Sequence, residues 1–126
     1  MSIRLLYIED DPASHRFMRE FAKREGYELH DAYTGEAALQ MARELLPDVI
    51  VTDISLPDIN GEEVCATLKA DAETSHIPII AFTGHSNMHG DRERLLAQGF
   101  DGYIDKPFNR FMLKLTIERL ANQHQD

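Results

Sequence analysis

The sequence predicts an α/β domain of doubly wound type, a parallel sheet of five strands with helices over both faces. Three observations carry this. Five short apolar runs alternate along the 126 residues with segments whose apolar residues recur at helical spacing. The run Val49-Ile50-Val51 is β-branched and uncharged, as in a strand buried on both faces. Nothing between the runs reads as an internal repeat, a low-complexity tract or a linker. Parallel strands have to be joined by crossovers, which are right-handed and usually helical, so this alternation implies one sheet between two helical layers.

The first strand is expected over residues 3–8, with Glu9, Asp10 and Asp11 directly after it and Pro12 opening a helix. From Ala13 to Arg24 the residues Ala13, Phe17, Met18, Phe21 and Ala22 keep helical spacing, and Gly26 supplies the stop. A second strand covers Tyr27 to Ala32. Thr34, Gly35 and Glu36 begin a second helix carrying Ala37, Ala38, Met41, Ala42 and Leu45, which Pro47 ends. The third strand spans Asp48 to Thr52; Asp53 follows it, and Pro57, Asp58, Asn60 and Gly61 supply turn chemistry. A third helix runs from about Gly61 to Ala70 with Val64, Cys65 and Leu68 facing inward. Pro78 to Phe82 is the fourth strand, ending in Thr83, Gly84, His85 and Ser86. The fourth helix covers about His89 to Gln98, with Leu95, Leu96 and Ala97 as its buried side and Gly99 as its end. Phe100 to Asp105 holds the fifth strand, Lys106 and Pro107 break it, and an amphipathic helix from Phe108 to Asn122 closes the fold. Phe17, Phe21 and the Leu95-Leu96 pair are expected in the core, and Gln123 to Asp126 as a frayed tail.

This length suits a single domain over residues 1–126 that buries most of its apolar surface without a disulfide or metal staple. Cys65, the single cysteine, has no internal partner, and no signal peptide stands before the first strand, so a reducing cytoplasm is the expected compartment. No segment approaches the roughly 20 apolar residues of a membrane-spanning helix. Acidic residues outnumber basic ones 22 to 13, a net charge of −9 with no basic patch to offset it. Such a surface repels phosphates and argues against direct nucleic-acid binding.

The polar residues that follow strands carry the chemistry: Glu9, Asp10 and Asp11 after the first, Asp53 after the third, Thr83 after the fourth, Lys106 after the fifth. All belong to carboxyl ends, where open α/β sheets bind ligands. An aspartate after a strand more often starts a turn or caps a helix, and Asp53 taken singly leaves both readings open. In a flavodoxin-like strand order, 2-1-3-4-5, the first, third, fourth and fifth strands are neighbours and these groups share one pocket. Carboxylates forced together repel, and a hard divalent cation such as Mg²⁺ relieves them. A lysine and a hydroxyl beside that cation suit a further anion, and a phosphoryl group is the one all three would hold.

Glu9-Asp10, Asp53 with Pro57 four residues on, Thr83-Gly84, and Tyr103-Ile104-Asp105-Lys106-Pro107-Phe108 together resemble the receiver domain of two-component response regulators, a CheY-like fold. The resemblance spans Ile3 to about Leu120, leaving no room for an output domain, and is thus to a stand-alone receiver. Residues 76–107, above all Asn87 to Arg94, are most similar to the DivK-type single-domain receivers. The start at Met1 and the polar end are expected of a complete small protein.

The resemblance implies that Asp53 is the phosphoacceptor, taking a phosphoryl group from a partner's histidine as an acyl phosphate. It implies Mg²⁺ held by the Asp10 and Asp53 carboxylates, by Glu9 through a water and by the Ser55 backbone carbonyl. Asp11 lies one place beyond the family's acidic pair and reads as a solvated residue or a helix cap. Lys106 would pair with Asp53 and then with a phosphoryl oxygen, and in this family the Lys-Pro bond that follows tends to be cis. Thr83 and Tyr103 resemble the switch pair: the hydroxyl moves to the phosphoryl group, the ring fills the space it leaves, and the surface of the fourth helix, fifth strand and fifth helix changes. Ser55 and His85 match the positions flanking the water that hydrolyses the acyl phosphate; Ser55 leaves room for it, while His85 could orient it, block it or bond the phosphoryl group. Gly84 is small where Ala or Ser is usual in the family.

His15, His30, His76, His89 and His124 lack the paired spacing of a metal site and read mostly as surface residues. His15 is not a phosphotransfer histidine, because the acceptor chemistry belongs to the aspartate. Cys65 reads as a small buried apolar residue. The exposed edge of the first helix is where such receivers dock their partner, a sensor histidine kinase or histidine phosphotransfer protein. The role implied is a switch for a downstream protein target or a relay, one that assists its own phosphorylation and dephosphorylation but is not a conventional enzyme. Two other functions compete: a phosphate-independent interaction module, or pseudo-receiver, and an aspartate-nucleophile phosphatase. The second wants another carboxylate two residues after its nucleophile, where Ser55 stands.

Overall fold

Each strand of the sheet carries apolar side chains alternately to its two faces, and helices cover both. The computed structural model describes residues 2–84, 91–105 and 109–125, the side chains of 91 and 123–125 excepted. In chain order the elements are β1 (Arg4–Ile8), α1 (Pro12–Glu25), β2 (Glu28–Ala32), α2 (Gly35–Leu45), β3 (Val49–Asp53), α3 (Gly61–Ala70), β4 (Ile79–Thr83), α4 (Asp91–Ala97), β5 (Gly102–Asp105) and α5 (Arg110–Gln125). All pairings are parallel and the sheet order is β2-β1-β3-β4-β5, the flavodoxin-like order.

Two apolar clusters lie on opposite sides of the sheet. Leu5, Tyr7, Val49, Val51, Ile80 and Phe82 pack against Met18 and Phe21 of α1 and Leu113 and Ile117 of α5. Leu6, Ile8, Ile50, Ile79 and Ala81 pack against Ala38 and Ala42 of α2, Val64 and Leu68 of α3 and Leu95 of α4. Neighbours in sequence thus face opposite layers, the period of two that a strand imposes. All five residues of β3 and of β4 are buried, which is why those runs contain so few polar residues.

Helix ends follow their sequence signals. The Asp11 side chain accepts from the Ala13 N–H at 3.2 Å, Thr34 from Ala37 at 3.1 Å and Asn60 from Glu63 at 2.9 Å, so these three residues are N-caps. Gly26 closes α1 at φ 77°, left-handed backbone that suits glycine. Leu46 closes α2 at φ 47° with Pro47 behind it; a non-glycine residue there costs on the order of 1 kcal/mol.

Several expectations are corrected. β3 runs through Asp53 instead of stopping at Thr52, because Asp53 still pairs in register with Phe82. Among the described side chains of α4 only Leu95 is buried; Leu96 is 39% exposed and Ala97 is exposed as well, since they stand on the side of the helix turned away from the sheet. Phe17 is 43% exposed, not core, and its ring lies under the Arg110 guanidinium at 5.4 Å. α5 continues to Gln125, through most of the expected tail. Among the described residues no helix is long and apolar enough to cross a membrane.

Candidate functional site

The order of the chain reverses between β1 and β3, and the carboxyl ends of these strands open onto one cleft. Register brings their last residues level: Ile8 pairs with Thr52, Asp53 with Phe82, and Thr83 with Asp105. Glu9, Asp10 and Asp53 meet there, each with a carboxylate oxygen within 4.8 Å of the others'. Glu9 is buried, Asp10 exposed, and Asp53 is 9% exposed, so the cluster is dry beneath and open above.

Local hydrogen bonds hold it in shape. A Glu9 carboxylate oxygen accepts from the Asp10 N–H at 3.0 Å, and an Asp53 oxygen accepts from the Ile54 N–H at 2.9 Å. The Glu9 N–H donates to the Ala32 carbonyl at 3.0 Å. Asp10 is held above the usual carboxylate range, first by its hydrogen bond with the Glu9 carboxyl, then by lost hydration and the charges of Glu9 and Asp11. Below the cluster the Tyr7 hydroxyl is pushed well above its ordinary value, chiefly by burial and further by Glu9 and Asp53, and stays a neutral phenol.

An all-oxygen donor set, two of its members near the surface, fits a hard cation such as Mg²⁺ that keeps part of its hydration. The fit rests on the convergence of three carboxylates, each with an oxygen within 4.8 Å of the others': a positive charge among them relieves the repulsion that such convergence imposes.

The other candidate residues are distributed as follows. Thr83 is buried at the end of β4, one residue beyond Phe82, the register partner of Asp53 on β3. Tyr103 is half-buried on β5, in register with Ala81, and packs on the same side of the sheet as Ala81 and Leu95. Since Ala81 and Thr83 share a face, so do Thr83 and Tyr103. Ser55 is exposed in the loop after β3, and Asp11 is the α1 cap. Lys106 comes directly after β5; it, Pro107 and His85 lie outside the described residues.

Three contributors were not read from the sequence. Gly61 begins α3 so close to β3 that a Cβ there would lie 2.3 Å from the Asp53 carbonyl oxygen. Asp58 accepts from the Gly35 and Glu36 N–H groups at 2.8 and 2.9 Å, tying the loop after Asp53 to the start of α2. His15, expected among surface histidines, has no exposed surface. Its signal was present: Met18 and Ala22, both buried, stand three and seven residues on, so His15 occupies the inward stripe of α1.

The doubly wound sheet, the order 2-1-3-4-5 and the acidic cluster at its switch point define the class. This chain belongs to the response regulator receiver domain family, whose model matches residues 5–118, and is thereby a receiver of two-component signalling. It is similar to the polar-differentiation response regulator DivK of Brucella ovis, 39% identical over 109 residues that span 86% of this chain and 88% of that protein. The DivK of Brucella anthropi is 40% identical over 105 residues, 83% of this chain and 85% of that one. Among solved structures, a response regulator of Chloroflexus aurantiacus superposes with a TM-score of 0.90 at 26% identity, covering 97% of this chain and 99% of that one. The receiver domain of a Pseudomonas aeruginosa sensor histidine kinase, with a magnesium ion coordinated in its active-site cleft, gives 0.88 at 28% identity over 97% and 99% of the two chains.

Proposed function

We propose that this chain is a single receiver domain over residues 1–126 that accepts a phosphoryl group on Asp53 and changes its surface in response. The observation that carries the reading is the meeting of Glu9, Asp10 and Asp53 within 4.8 Å at the switch point, with Thr83 buried on the next strand. An Asp53 carboxylate oxygen attacks the phosphorus of a partner's phosphohistidine. The P–N bond breaks, its electron pair returns to the imidazole, and an acyl phosphate remains on Asp53. Asp10 and Asp53 would hold Mg²⁺ through their carboxylates, with Glu9 and the Ser55 backbone carbonyl as the further oxygen donors of the set. When bound, Mg²⁺ supplies positive charge against the charge spread over the transferring phosphoryl oxygens.

The Thr83 hydroxyl donates to one phosphoryl oxygen and the Lys106 ammonium pairs with another. As Thr83 turns inward the Tyr103 ring follows, and the face made by α4, β5 and α5 is remodelled; Leu96 and Met112 already stand exposed there. A downstream protein that prefers one arrangement reads the switch, or a second histidine-bearing protein removes the phosphate. The donor is a sensor histidine kinase or a phosphotransfer protein in the cytoplasm. Ser55 and His85 set the lifetime of the acyl phosphate by their place beside the attacking water. The domain assists its own phosphorylation and dephosphorylation and turns over no other substrate.

Intact-mass analysis with acetyl phosphate tests this. A Mg²⁺-dependent, base-labile phosphoryl adduct is expected on the wild-type chain and not on Asp53→Asn. If neither acetyl phosphate nor a panel of histidine kinases and phosphotransfer proteins labels Asp53, the chain is instead a phosphate-independent binding module.

A further inference from the structure

Among the buried polar side chains that the phosphoryl chemistry does not use is a histidine of α1. His15 is completely buried, with Nδ1 2.6 Å from an Asp31 carboxylate oxygen and Nε2 2.6 Å from the backbone carbonyl oxygen of Glu9. The Tyr7 ring meets it edge-on with centroids 4.9 Å apart, and the Tyr33 ring lies against it at 4.1 Å. Asp31 is held in turn by Arg19, whose guanidinium also donates to the Tyr33 hydroxyl at 3.0 Å. Both ring nitrogens face oxygen acceptors, so the ring has two directional anchors and no freedom to rotate.

The Glu9 carbonyl and the Asp10 N–H belong to one peptide unit. His15 fastens its carbonyl end, and the Glu9 carboxylate fastens its N–H end at 3.0 Å. The plane of that peptide sets the direction in which the Asp10 side chain leaves the backbone. A histidine serving only the core would be satisfied by any acceptor. Here the acceptor is the link between two carboxylates of the acidic cluster.

We propose that His15 is a positioning residue for the divalent-cation site: through its Nε2 bond to the Glu9 carbonyl it fixes the Glu9–Asp10 peptide, and so the aim of Asp10. The proposal rests on the reading of the cluster as a Mg²⁺ site. Two substitutions separate its two bonds. A glutamine amide nitrogen falls near the place of Nε2, and an asparagine amide nitrogen near that of Nδ1. Mn²⁺ binding to the full chain, followed by loss of the free-ion electron paramagnetic resonance signal, then gives the readout without any phosphorylation step. His15→Gln should stay within about twofold of wild type, whereas His15→Asn and His15→Ala should weaken binding by about tenfold or more. The metal-free melting temperature should not follow that order.

Equal losses in the glutamine and asparagine variants, or losses that track the melting temperature, would overturn the positioning role. A wild-type chain that binds no Mn²⁺ overturns the metal reading itself, and the role of His15 with it. Should the variants not fold, ¹⁵N-histidine spectra of the wild-type chain decide: diamagnetic Mg²⁺ should move the His15 Nε2 resonance more than Nδ1, and an unmoved ring contradicts the proposal.

Discussion

Gly61 shows how narrowly the backbone around Asp53 is packed. Helix propensity alone would make alanine there stabilising by up to about 1 kcal/mol. The Cβ would nevertheless stand 2.3 Å from the Asp53 carbonyl and 3.0 Å from the Ile54 Cα, both backbone atoms that cannot swing aside. Gly61→Ala is therefore expected to destabilise the domain by roughly 1–3 kcal/mol in urea unfolding, the range for forced overpacking, and to slow phosphorylation of Asp53. A gain in stability would mean that the loop relaxes freely. Cys65 provides a second residue-scale check. Burial raises its thiol to about 11, and it packs between α3 and the sheet, so iodoacetamide should leave it unmodified in the native chain and alkylate it in denaturant, as read by mass.

At the scale of elements, α2 and the loop after β3 are coupled through Asp58. Its two carboxylate oxygens take the Gly35 and Glu36 N–H groups and Thr34 takes Ala37, so three donors at the start of α2 are satisfied. Those backbone N–H groups lower the Asp58 carboxyl to about 2. A depressed carboxyl stabilises the fold above its unfolded value and loses that contribution as pH falls through the folded one. The Gly35 and Glu36 amide resonances should accordingly titrate with a midpoint near 2 instead of near 4. Asp58→Asn, which keeps one acceptor oxygen, should lower the melting temperature at neutral pH and remove that titration. Asp58 illustrates what the sequence withholds: Pro57-Asp58-Ile59-Asn60 reads correctly as a turn, but which helix a turn carboxylate caps depends on packing 23 residues away. Periodicity does predict all ten elements, because most carry a stripe wide enough to detect. It fails on α4 and at Phe17, where an apolar side chain at helical spacing faces solvent. His15 is the reverse case, a polar residue on the inward stripe whose partners, Asp31 and the Glu9 carbonyl, come from two different strand ends.

At the scale of the whole molecule, the sheet order converts residues far apart in sequence into one acidic cleft on a chain that already carries a net charge of −9. Glu9, Asp10 and Asp53 read one by one as strand-end polars, and their meeting follows from the residues alone once the strand order is known. Ligand binding to the folded state alone stabilises it by mass action, by about 2.7 kcal/mol at a hundredfold excess over Kd. Mg²⁺ should therefore raise the melting temperature with a saturating concentration dependence, and the double variant Asp10→Asn with Asp53→Asn should lose most of the rise. An unchanged Mg²⁺ response in that variant would move the cation elsewhere.

The central claim is that the acyl phosphate forms on Asp53, and borohydride trapping tests it most directly. The chain is phosphorylated with Mg²⁺ and acetyl phosphate, reduced, digested and sequenced by tandem mass spectrometry. An aspartyl phosphate is reduced to homoserine, and homoserine at position 53 is the expected result. Homoserine at Asp10 or another carboxylate, with Asp53 intact in a chain that carried the adduct, would contradict the account.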